Sequence, residues 1–247
     1  MDETIKNNEI TTDYDTDGAY SEGENARYVS EFAESIKEFG GMNLPESKSG
    51  IRVIPIIGEI EGHVIEMQKK VTKYEHIIPI LTQIEEDDDV EGVLLMLNTL
   101  GGDVEAGLAI AELVRSISKP SVSLVLGGGH SIGVPLAVCT DYSFIVPTAT
   151  MTLHPIRTTG LVIGVWQSFE YFKKMQERII SFIVACSDIE RPRLMDLMLN
   201  TTEMVNDVGS ILIGQQAVDI GLINEVGGLN VALKKLKELI EEKKQNS

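Results

Sequence analysis

The chain has 247 residues, 43% hydrophobic and 24% charged, which is enough for one large domain with a real core plus a tail. Its net charge of −17 argues against nucleic acid or anionic lipid as a direct partner, because no basic cluster stands out to neutralise phosphates. No basic and apolar leader opens the chain and no apolar run reaches about eighteen residues, so the expectation is a soluble, non-exported, cytoplasmic protein, still open to recruitment at the inner face of a membrane.

Residues 1–47 hold twelve Asp or Glu against three Lys or Arg and carry −9 of the −17. They read as an acidic, largely disordered arm, apart from helically spaced Tyr28, Val29, Phe32, Ile36 and Phe39. The folded domain is expected over 48–247. Ile51 to Ile57 reads as a strand and Gly58 to Gly62 as the turn leaving it. A helical stretch follows from about Val64 to Glu86, interrupted near Pro79, which lacks the N–H that an interior turn needs. Val93-Leu94-Leu95-Met96-Leu97 is an unbroken apolar run, the mark of a strand covered on both faces.

Helical spacing returns over 106–117, and a strand follows at 121–126. Strand and helix alternating at this pitch predict βαβ crossovers and a parallel sheet with packed helices, an α/β fold. Short strands are expected at 142–146 and 150–153, an apolar strand-like run at 161–166 and a long helix at 167–185. That helix bears a stripe of Phe169, Phe172, Met175, Ile179, Phe182 and Ile183 for a core or subunit contact. Helices at 193–199, 214–218 and 231–242 finish the chain, the last polar enough to lie on the surface. Cys139 and Cys186 sit in apolar surroundings without metal-ligand spacing, so buried reduced thiols are expected, with no metal and no cofactor.

Between the strand at 121–126 and the apolar Val134 to Cys139 lies Gly127-Gly128-Gly129-His130-Ser131-Ile132-Gly133. A serine hydroxyl needs a neighbouring base and room for substrate, and the glycines supply room. Taken alone, such a stretch is more often a tight turn with a serine helix cap. The available bases are His63, His76, His130 and His154. Being adjacent, His130 tends to point away from Ser131 and shapes or fills the pocket, while His63 and His76 fall in the early helical region with nothing catalytic around them. His154 ends the segment Met151-Thr152-Leu153 in a turn before Pro155, where functional side chains gather.

Among carboxylates, Asp188, Asp196 and Asp219 have ordinary solvated explanations, and Asp207, in a connection before Ile211, is best placed to orient an imidazole. Asn98-Thr99-Leu100-Gly101-Gly102-Asp103 follows the most apolar strand, and the N–H groups of Gly102 and Ile132 could cradle a tetrahedral oxyanion. On the glycines alone a plain βα turn serves equally well.

These stretches, from about Arg52 to about Val226, together resemble the proteolytic subunit of the Clp protease, a serine peptidase family. Asn98 to Gly107 resembles its oxyanion loop, normally Ser-Pro-Gly-Gly; Gly129 to Gly133 its nucleophile segment; Met151 to Pro155 its histidine segment; and Gly214 to Ile223 its later Gly-Leu-Ile region. The resemblance implies a crotonase-like stack of βαβ units, with a protruding handle at 161–182, assembled into rings that enclose the serine sites. It implies Ser131 as nucleophile, His154 as base and Asp207 as orienting acid, although the stretch before Gly214 is about two residues longer than usual. Peptides are the implied substrates and a homo-oligomer of stacked rings the implied assembly. The acidic arm stands where the family has the hairpin that docks its ATP-driven AAA+ unfoldase, so that docking stays open.

Leu100 replaces a proline and His130 a small residue. The pattern is most similar to the translocation-enhancing (TepA-type) branch, which implies an indirect link to secretion and leader-peptide degradation. Three other readings stand beside it. An α/β-hydrolase places its histidine after the acid, and none follows His154. A Ser–Lys peptidase needs Lys119 or Lys173 as base. A non-catalytic ring scaffold would bind peptides without cutting them.

Overall fold

A computed structural model of the chain describes residues 49–63, 70–157, 164–202 and 208–246; the acidic arm expected at 1–47 lies outside the described residues. In chain order the elements are β1 (Ile51–Glu61), β2 (Val71–Lys73), α1 (Tyr74–Glu86), β3 (Gly92–Gly102), α2 (Val104–Ser116), β4 (Ser121–Gly129), α3 (Gly133–Val138) and β5 (Tyr142–Ile145). There follow β6 (Thr150–Leu153), α4 (Val165–Cys186), α5 (Arg191–Met198), β7 (Ser210–Ile213), α6 (Gln215–Asp219), β8 (Glu225–Val226) and α7 (Leu229–Asn246).

The main sheet runs β2-β1-β3-β4-β5-β8, and every pair along that path is parallel. Parallel strands need crossovers, and α1, α2 and α3 supply them. Because side chains alternate across a strand, the apolar run of β3 divides between two cores. Val93, Leu95 and Leu97 join a large cluster with the crossover helices, while Leu94 joins Ile51, Val122, Leu124 and Phe144 on the other face. That second face is closed by Ala232, Leu236 and Ile240 of α7. Each large aliphatic side chain so buried contributes roughly 1.5–3 kcal/mol, so coverage on both faces makes β3 the axis of the domain.

Several elements differ from expectation for identifiable reasons. Gly58 to Gly62 is not a turn: β1 continues to Glu61, absorbing a register shift at Gly58, whose φ is 84°. Of the stretch read as one helix from Val64, residues 64–69 lie outside the described residues, Val71–Lys73 is a strand pairing with β1, and α1 begins only at Tyr74. Pro79 sits inside α1 without ending it; it lies on the exposed face, where water can take the carbonyl left unpaired. Of the strand-like run at 161–166, residues 161–163 are outside the described residues and Val165 and Trp166 already belong to α4.

The α4 stripe splits along its length. Met175, Ile179, Phe182 and Ile183 are buried, whereas Phe169 is 57% exposed and Trp166 70% exposed, so the first half of the helix carries its aromatics on the surface. Cys139 is buried as expected, but Cys186 is only half-buried and receives a hydrogen bond from the Arg115 guanidinium.

Gly58 carries a testable consequence, since a Cβ there would lie 2.1 Å from the Lys70 carbonyl oxygen on a positive-φ backbone. Gly58→Ala is expected to lower unfolding stability by about 2–3 kcal/mol, read as a shifted urea midpoint with unchanged slope.

Candidate active site

Gly127, Gly128 and Gly129 are the end of β4 and not a turn. Their lack of side chains lets β3 approach: the Gly128 N–H donates to Asn98 Oδ1 at 2.9 Å, and a Cβ on Gly127 would fall 2.5 Å from that same oxygen. Asn98 thus bridges the ladder where the β3–β4 register shifts between Leu97 and Thr99. Beyond the glycines the chain reverses sharply into α3. At that bend Ser131 has φ 55°, the one positive φ among the described non-glycine residues. A side chain held there costs about 1–3 kcal/mol and persists only where its surroundings over-determine it. Here they do: the Ser131 N–H donates to the Thr152 carbonyl at 2.9 Å, and the Ser131 carbonyl accepts the Val134 N–H at 3.0 Å. A serine at a strained strand-to-helix bend presents its hydroxyl outward, as nucleophile serines do.

The stretch from Asn98 to Gly102 is likewise strand and not loop. Thr99 organises it. Its hydroxyl donates to the Gly58 carbonyl at 2.6 Å and accepts the Gly101 N–H at 3.1 Å, and its carbonyl accepts the His130 N–H at 3.2 Å. Gly101 (φ 94°) leans on the serine, so that a Cβ there would be 2.7 Å from Ser131 Cβ. Gly102 (φ 148°) lies against β1, where a Cβ would meet the Ile60 carbonyl oxygen at 2.2 Å. Immediately beyond it, Asp103 donates its N–H to Ile60 at 2.9 Å and caps α2 by accepting the Ala106 N–H at 2.8 Å. Gly102 therefore stands between two amides that are engaged elsewhere.

His154 is delivered by β6, which touches β4 at the Gly128–Thr150 pair and is fastened to Ser131 through Thr152. Its Nδ1–H donates to the Pro155 carbonyl at 2.6 Å, which leaves Nε2 as the basic nitrogen. Gly209 presses on the other side, where a Cβ would lie 2.9 Å from His154 Cβ. A cavity of about 140 Å³ opens between these elements. Gly102, Ser131, Ile132 and His154 all line it, with Val134, Leu153, Ile156, Ile179, Ile183 and Met198 as an apolar wall and Arg157 as the one charged side chain among the described residues that line it.

Four of the five residues expected to form a site are thus brought to one cavity. Asp207 lies outside the described residues. His130 does not line the cavity; its Nδ1 is 2.8 Å from Thr152 Oγ1 and its Nε2 3.5 Å from Thr150 Oγ1. Burial, and secondarily the charge of His154, hold its imidazole below the ordinary histidine value.

Other candidates lie away from this cavity. His63 follows β1, not a helix, and shares a 3.2 Å hydrogen bond with the Tyr74 hydroxyl. Asp141, the carboxylate that falls between Ser131 and His154 in the sequence, accepts from the N–H and hydroxyl of Ser121, at the far end of β4 from Ser131. Lys119 donates to the Asp87 carbonyl at 3.2 Å, also at that far end, and Lys173 is exposed on α4. Sequence reasoning missed Asn98, Thr99 and Thr152 as braces. Their polarity inside apolar β-runs was the available signal.

The sequence matches the Clp protease family over residues 54–229. It is 56% identical over 210 residues to the translocation-enhancing protein TepA of Halalkalibacterium halodurans, spanning 84% of this chain and 82% of that one. It is 24% identical over 159 residues to ATP-dependent Clp protease proteolytic subunit 1 of Protochlamydia amoebophila, spanning 61% and 72%. Among solved structures, a ClpP1 mutant from Listeria monocytogenes aligns with a TM-score of 0.60 at 19% identity, over 74% of this chain and 94% of that one. At that identity the likeness is one of fold, the ClpP/crotonase-like arrangement of α/β units.

The His130 environment has a pH signature. Unfolded, the ring takes its proton near pH 6.5; folded, it does so only at a lower pH. The unfolded state therefore binds more protons in that interval, and stability is lost as pH falls from about 6.5 through the folded value. Urea midpoints at about pH 7.5 and pH 5.5 should drop more for the wild type than for His130→Asn, and equal drops would contradict a buried neutral ring.

Proposed function

The chain belongs to the Clp protease family, and on that premise we propose that it is a serine endopeptidase acting on short or unfolded peptides within an oligomeric ring. The observation that carries this reading is the convergence of Ser131, His154, Gly102 and Ile132 on one cavity, with Ser131 on a strained bend.

In the proposed reaction His154 Nε2 takes the hydroxyl proton as Ser131 Oγ attacks the peptide carbonyl carbon. The Gly102 and Ile132 N–H groups receive the oxyanion, each such donor being worth about 10²–10³ in rate. The histidine then gives its proton to the leaving amine, and water repeats the sequence to release the acyl group. The Pro155 carbonyl holds the imidazole in the tautomer this needs. Asp207 is assigned as a further orienting group, supported by the contact of Gly209, two positions on, with His154. The apolar wall suits an uncharged side chain beside the scissile bond. Ring assembly, and an indirect connection to protein export taken from the name of the TepA relative, belong to the same proposal.

A fluorophosphonate probe should label the full-length protein at Ser131. Labelling should vanish in Ser131→Ala and fall about 10⁴-fold or more in His154→Ala. Unlabelled wild type, or undiminished labelling in His154→Ala, would replace the peptidase with a peptide-binding scaffold or a different base. Asp207→Asn should cost less than His154→Ala, because the Pro155 carbonyl still holds the ring; comparing the two labelling rates checks this.

A further inference from the structure

The reaction above gives His130 no task, yet its ring is half-buried and specifically held. Alternation along β6 puts Thr150 and Thr152 on one face of that strand, and His154 follows directly after its last residue. The imidazole of His130 lies along the first two, at 3.5 and 2.8 Å from their hydroxyls. It packs against bare backbone on the other side, since a Cβ on Gly128 would be 2.7 Å from its Nε2. Thr152 is consequently gripped by two successive residues: its hydroxyl by the His130 ring, and its carbonyl by the Ser131 N–H at 2.9 Å. The His130 backbone is fastened as well, its N–H to Thr99 and its carbonyl to the Gly133 N–H at 2.8 Å. A left-handed serine needs such over-determination, and the His130 ring supplies a side-chain hydrogen bond from the bend itself, beside the core packing of Ile132.

We propose that His130 is a positioning residue: through its hydrogen bond to Thr152 it locks the Ser131 bend onto the strand that carries His154, holding hydroxyl and base in register. This rests on Ser131 being the nucleophile. A neutral ring suits the task, because a second imidazolium beside His154 would oppose protonation of the base, and burial lowers the proton affinity of the His130 ring.

Bulk and hydrogen bonding can be separated by substitution. His130→Phe keeps the volume and loses the bond, whereas His130→Asn loses volume but keeps a polar atom where Nδ1 stood. Misplacement of a reacting group by about 1 Å can cost about 10² in rate. His130→Phe should lower the rate of fluorophosphonate labelling at Ser131, and the kcat on a fluorogenic peptide with an apolar residue before the scissile bond, by about 10–100-fold with KM little changed. His130→Asn should stay within about threefold of wild type, and Thr152→Val combined with His130→Phe should lose no more than the worse single variant. Independently of activity, amide exchange over residues 128–133 should quicken in His130→Phe and not in His130→Asn.

Wild-type labelling rates in His130→Phe, losses in His130→Asn equal to those in His130→Phe, or additive losses in the double variant would each overturn the positioning role while leaving the peptidase reading intact. Failure of the wild type itself to label at Ser131 removes both.

Discussion

The bond from the Ser131 N–H to the Thr152 carbonyl joins the two pieces of chain that bring Ser131 and His154 to the cavity. On one side is a bend that L-residues rarely adopt, and on the other a four-residue strand that ends immediately before His154. The same junction carries the Gly128–Thr150 pair and the His130 ring on Thr152, so this bond completes the seam between the end of β4 and β6. The rest of the domain can be understood as the support this one contact needs. Parallel strands covered on both faces are rigid at their carboxyl ends, and β3 and β4 both terminate there in glycines that let backbones meet without side chains between them.

The parts of this arrangement that were legible in the sequence are those governed by periodicity. Val93 to Leu97 announces a strand covered on both faces, and Leu94 does face a different core from Val93, Leu95 and Leu97. The helices over 104–116 and 165–186 were readable from apolar spacing, because burial of one face is what stabilises them. Ser131 and His154 stand out by the poverty of alternatives in a chain with four histidines, and both line the same cavity.

What could not be read was decided by backbone geometry. Local propensity treats glycine runs as breaks, so Gly58, Gly101, Gly102 and Gly127 to Gly129 read as turns. In the structure they extend strands, because long-range pairing to β1 and β3 holds them there. Asn98 and Thr99 were equally opaque: a polar side chain at a strand end looks solvated until the partner amides from Gly128 and Gly101 are in place. The role of α7 as the cover of the second sheet face was hidden for a related reason, since three buried residues at a spacing of four are a thin stripe on an otherwise polar helix.

The contact between Gly101 and Ser131 bears on how chains of this kind diverge. One methyl group at position 101 would push against Ser131 while leaving the serine and the histidine of the proposed site in the sequence. If the proposed chemistry holds, a descendant could lose it without losing its serine or its histidine, and an inventory of those two letters would not register the change. Across such a lineage the hydrogen atom on the Gly101 α-carbon is as informative about chemistry as the hydroxyl it faces.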